Sequence, residues 1–117
     1  MSKMGALESR FADIIWHNEP LASRQLITLA EQELGWKSTT SYTVLKRLCE
    51  RGIFQNQNST VTSRISRDAF YAEQSELFVK ETFDGSLPAF LAAFGSRNKL
   101  SDKEVDELKK LIDSMKE

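Results

Sequence analysis

Apolar residues recur along the first half of the chain at helical spacing. Met4, Leu7, Phe11, Ile14 and Ile15 mark one face of a first helix that ends near "HNEP", the pattern of a single buried stripe. Pro20 opens a new segment, in which Leu26, Leu29, Ala30 and Leu34 repeat up to Gly35, a residue suited to a left-handed C-terminal turn. A third helix is expected from Lys37 or Ser38 to just before Gly52, with Val44, Leu45, Leu48 and Cys49 as its buried side. The period then changes. "IFQNQNSTVTSRIS" has a polar Asn-Gln-Asn-Ser centre flanked by Ile53, Phe54, Val61 and Ile65. It predicts a short hairpin with Val61, Ser63 and Ile65 on one face and Thr62 and Arg64 on the other.

Three helices followed by a hairpin predict a winged helix-turn-helix over residues 1–67. In that fold the third helix enters the major groove, whose width of roughly 12 Å admits one helix. Thr39, Tyr42, Thr43 and Lys46 follow i, i+3, i+4, i+7 and lie away from the Val44–Leu45–Leu48 stripe, so they form the face free to read DNA. Thr39 and Thr43 suit thymine methyls or hydrogen bonds, and Tyr42 offers a ring and a hydroxyl. Lys46 suits a phosphate or a guanine, and Arg47 on the flank a phosphate. The alternative is a solvated polar face on an ordinary core helix.

The second half predicts three more helices and completes a mainly α fold with one small β-hairpin. Phe70, Gln74, Leu77 and Phe78 line a helix from about Asp68 to Phe83, which Gly85 breaks. Ser86 caps the next, where Leu87, Phe90, Leu91 and Phe94 repeat at helical spacing. Ser101 and Glu104 then make a capping-box pattern before Val105, Leu108, Leu111, Ile112 and Met115. These thin helices over residues 68–117 carry many large apolar side chains without an evident partner in one chain. A two-fold interface is the economical expectation, with Leu77, Phe78, Leu87, Phe90, Leu91, Phe94, Leu108 and Leu111 lining it. The alternative is that they fold back on the first half as one globule.

Composition narrows the functional classes. The 117 residues, 40% of them hydrophobic, suffice for a modest core and not for a large catalytic cleft. The net charge of −1 hides an asymmetry: residues 1–67 hold nine Lys or Arg against six Asp or Glu, whereas residues 68–117 hold seven against eleven. The basic excess thus lies in the half with the reading face. Cys49 is the one cysteine and His17 the one histidine, so no disulfide, metal site or cofactor is expected. No Ser-His-Asp, paired-carboxylate or Gly-rich phosphate arrangement supports an enzyme. No apolar run approaches the roughly 20 residues of a membrane span, and no signal-peptide pattern opens the chain. A cytoplasmic protein is expected. A protein-protein interaction module built on a winged helix is the alternative to a DNA binder.

"IIWHNEPLASRQL", "GWKSTTSYTVLKRLCERGIF" and "FDGSLPAFLAAFGSRNKLS" before "EVDELKKLID" resemble, in order and over nearly the whole chain, the penicillinase repressor family. The resemblance implies a homodimeric repressor of β-lactam-resistance or similar genes that binds a palindromic operator. It places Thr39, Thr40, Tyr42, Thr43, Lys46, Arg47 and Arg64 at the DNA, and the C-terminal helices at the dimer interface. It also implies release by proteolysis, through a membrane-bound β-lactam sensor with a protease domain or a protease downstream of it. Four departures stand out. Ser41 replaces an apolar residue, and Ala22 replaces a threonine cap, leaving Ser23 to cap the second helix. The wing lacks the Gly-Arg and aromatic pair of many relatives, leaving Arg64 and Arg67 as its phosphate contacts. Ala93-Phe94 stands where the family's scissile Asn-Phe bond falls.

Overall fold

The computed structural model describes residues 4–116. Its elements are α1 (Ala6–Asn18), β1 (Leu21–Ala22), α2 (Ser23–Leu34), α3 (Ser38–Glu50), β2 (Phe54–Gln57), β3 (Thr60–Ser63), α4 (Arg67–Thr82), α5 (Leu87–Gly95) and α6 (Asp102–Ser114). The fold is mainly helical with a small antiparallel sheet. Two compact units divide between Gln74 and Ser75, inside α4.

In the first unit, α1, α2 and α3 bury their apolar stripes together with one face of the sheet. Phe11, Ile15, Leu26, Leu48, Ile53, Phe54, Val61 and Phe70 are all withdrawn from water. Trp36 stacks on Phe11 at 5.2 Å between ring centroids, and Trp16 packs against Phe54 and Phe70 at 5.1 and 5.8 Å. The Trp16 indole N–H donates to the Ile65 carbonyl at 3.0 Å, so this large ring is half-buried without leaving its polar edge unpaired. Phe70, at the end of the first turn of α4, belongs to this core, which is why the units part within that helix.

Two features of the first unit differ from the expectation. Leu7 does not join the core: it is 51% exposed, and the inward position of that first turn belongs to Glu8, whose Oε2 is out of water. The hairpin also gains a third strand, since β1 pairs with β3 (Leu21 opposite Val61, Ala22 opposite Thr60) and the sheet order is β1-β3-β2. Gln57 and Thr60 close the hairpin around Asn58 and Ser59, both at positive φ, 52° and 60°. This is the left-handed pair that a two-residue hairpin turn requires.

The wing turn in turn starts α2. Ala22 occupies the cap position with no side-chain bond, and Ser23, buried as the first helical residue, does not cap. Instead its N–H donates to the Ser59 carbonyl at 2.8 Å, satisfying one of the donors that every helix start leaves open. Gly35 ends α2 in the left-handed region at φ 69°, placing α3 within three residues.

The second unit holds the rest of α4, α5 and α6. Ser86 accepts the Ala89 N–H to cap α5, and Ser101 with Glu104 forms a full capping box at α6. Phe78, Phe83 and Phe90 meet edge to face at 5.7 to 6.1 Å. Yet no described residue beyond Phe70 is buried. Among the described residues, no helix is long and apolar enough to cross a membrane.

Candidate nucleic-acid interface

The helical repeat of 100° per residue divides α3 into two sides. Ser41, Val44, Leu45 and Leu48 are buried, and Cys49 packs partly against the same core. Thr39, Thr40, Tyr42, Thr43, Lys46 and Arg47 are all exposed. The residues expected to read DNA therefore share one continuous surface, held in place by the buried side.

Each of these side chains is set differently. The Thr43 hydroxyl donates to the Thr39 carbonyl at 2.8 Å, so its methyl and remaining lone pair are what it offers a ligand. Tyr42, 45% exposed, borders a shallow groove of about 370 Å³ between α3 and β2, with Leu45, Lys46, Cys49 and Asn56 as the other walls. Lys46 makes no ion pair among the described residues. Arg47 does: its Nη1 lies 3.4 Å from Glu8 Oε2 at the start of α1. That pairing left no trace in the apolar pattern, because Glu8 and Arg47 are far apart in sequence and both are polar.

The wing is anchored more than it is charged. Gln55 Nε2 donates to the Thr62 hydroxyl at 3.0 Å across the two strands, and Glu19 accepts from both the N–H and the hydroxyl of Ser63. Asn56, Gln57, Asn58, Ser59 and Thr60 at its tip are exposed and uncharged. Arg64 is exposed just beyond β3, at the end of the strand away from the turn, with its N–H bonded to the Ile53 carbonyl at 2.8 Å. Arg67 is paired instead with Asp13 at 2.8 Å, and this hydrogen bond raises its guanidinium above its ordinary range.

Cys49 and His17 stand apart from the exposed face of α3. Burial, helped by the neighbouring Glu50 charge, pushes the Cys49 thiol up, which favours the inert protonated form. His17 is exposed on a polar surface with Arg10, Asp13 and Glu33. Among the described residues no group of His, Cys, Asp and Glu is placed to hold a metal.

The residues expected at a dimer interface surface in the second unit. Leu87, Leu91, Phe94 and Leu111 are 55%, 38%, 47% and 51% exposed, and Phe78 37%; Leu77, Phe90 and Leu108 are half-buried. Phe90, Leu91, Phe94, Leu108 and Leu111 share the walls of one open apolar groove of about 360 Å³. Ala93 and Phe94 lie in the last turn of α5, both exposed. Their carbonyls accept from the Ser96 hydroxyl at 2.7 Å and the Asn98 amide at 3.1 Å.

The profile of the penicillinase repressor family matches residues 4–114. A penicillinase repressor of Bacillus licheniformis is 22% identical over 107 residues, covering 88% of this chain and 84% of that protein.

Proposed function

The chain belongs to the penicillinase repressor family, and from that premise we propose that it is a homodimeric repressor, acting in the cytoplasm, that grips a palindromic operator with one α3 in each half-site. The observation that carries the proposal is the division of α3, with one side locked into the core and Thr39, Tyr42, Thr43 and Lys46 left open on the other. Those side chains suit base edges and phosphates and lack the apolar centre of a protein-binding patch. The regulated genes, on this reading, serve resistance to β-lactams or a similar stress.

The exposed apolar side chains of the second unit support the dimer. Side chains as large as Leu87, Phe94 and Leu111 gain about 1.5–3 kcal/mol each when taken from water, and a second copy would supply the cover that one chain lacks. Two linked heads bind a two-site operator far more tightly than one, through their effective concentration.

Replacement of Leu91 by Glu tests both parts. Sedimentation should then show monomers, and affinity for a palindrome should fall far more than affinity for a half-site. A wild-type chain that is monomeric and still binds a palindrome would overturn the proposal.

A further inference from the structure

Glu8 is an acidic residue set against the recognition helix. Its Oε2 is withdrawn from water and accepts no hydrogen bond among the described residues, its side chain as a whole is 23% exposed, and Arg47 Nη1 lies 3.4 Å away as an ion pair. The Arg47 side chain is itself 53% exposed, on the flank of the face that holds Thr43 and Lys46. A cation suited to a phosphate is thus already paired within the protein, while Lys46, one residue earlier, makes no ion pair among the described residues.

We infer that Glu8 masks Arg47, so that the repressor's grip on every DNA sequence is weakened by one phosphate contact and its affinity depends less steeply on salt. The inference rests on the DNA-binding reading above. Non-specific binding is almost wholly the release of counterions by Lys and Arg at phosphates, so masking one cation removes one such contact from every sequence alike. An exchange of Glu8 for a phosphate would leave Glu8 Oε2, already out of water and without a hydrogen bond, without its neighbouring cation as well, which opposes the exchange. A phosphate that merely passes near Arg47 does not displace it. Tyr42 and the threonines are not part of the pair, so the mask lowers operator and random affinity alike and leaves base reading as it is. Glu8 is a positioning residue in this role, acting through Arg47 and not by touching DNA.

The experiment is a cycle of four full-length chains: wild type, Glu8→Gln, Arg47→Gln and the double variant. Each is titrated with random duplex and with an operator-containing duplex at several salt concentrations, and circular dichroism confirms that each is folded. Glu8→Gln should bind random DNA several-fold more tightly, with a slope of log affinity against log salt steeper by about 0.9, the value of one phosphate contact. Arg47→Gln in the Glu8→Gln background should remove the added contact and return the slope toward the wild-type value. The ratio of operator to random affinity should stay the same in Glu8→Gln, because the added contact is to phosphate. If Glu8→Gln leaves the slope unchanged, or tightens binding equally when Arg47 is already Gln, the mask is refuted and Glu8 acts only as a distant negative charge. Wild-type binding that is absent or insensitive to salt would refute the DNA-binding reading itself, a result distinct from either.

Discussion

Glu19 faces Ser63 across the open edge of β3 and takes over where backbone pairing stops. The β1–β3 register, Leu21 opposite Val61 and Ala22 opposite Thr60, runs on to place residue 19 opposite residue 63. There a carboxylate replaces a strand carbonyl: Glu19 Oε1 accepts the Ser63 N–H at 2.8 Å, and the Ser63 hydroxyl donates to both oxygens at 2.8 and 2.9 Å. The wing is thereby fixed to the link between α1 and α2.

Removing that carboxylate should loosen the wing. Glu19→Ala strands a part-buried N–H, which costs about 1–3 kcal/mol. Denaturant unfolding should show a loss of this size, and hydrogen exchange at Ser63 should accelerate. An unchanged unfolding midpoint together with a protected Ser63 amide would show that the strand is held by other means.

The reading face separates specificity from general affinity. Tyr42→Ala should reduce the preference for operator over random DNA by about 1–3 kcal/mol, the cost of a lost base contact. Lys46→Ala should weaken binding to all sequences and flatten the salt slope by about 0.9. Paired titrations of operator and random duplex measure both, and unchanged operator affinity in Tyr42→Ala would remove that residue from the interface.

Much of this arrangement was legible because it depends on apolar spacing and on residues with one conformational talent. Leu26, Ala30, Val44, Leu45 and Leu48 were readable as core, Gly35 as a left-handed stop, and Ser101 with Glu104 as a helix start. β1 was not, since two residues carry no period and become a strand only through β3. Ala12 and Ile27 are buried although the stripes were readable without them. Ser41 is fully buried, a polar residue in an apolar stripe that periodicity skips. Within the candidate site the exposed face of α3 was legible, whereas the pairing of Arg47 with Glu8 was not. Long-range ion pairs leave no spacing in a sequence.

Induction is expected to leave the Ala93-Phe94 bond intact. It lies in the last turn of α5, with the Ala93 and Phe94 carbonyls engaged by Ser96 and Asn98, and a protease needs that turn to unfold first. Mass measurement of the chain recovered from cells exposed to a β-lactam should give the full-length protein. A fragment ending at Ala93 would contradict this and establish release by cleavage.

The central claim is that two α3 helices read one palindromic DNA site, and footprinting on the DNA upstream of the chain's own gene, repeated across salt concentrations, tests it most directly. The account predicts a protected palindrome with half-sites about one helical turn apart, roughly 34–36 Å between centres. Occupancy should be two chains per site, and log affinity should fall linearly with log salt. Protection of a single half-site by one chain, or binding indifferent to salt, would contradict it.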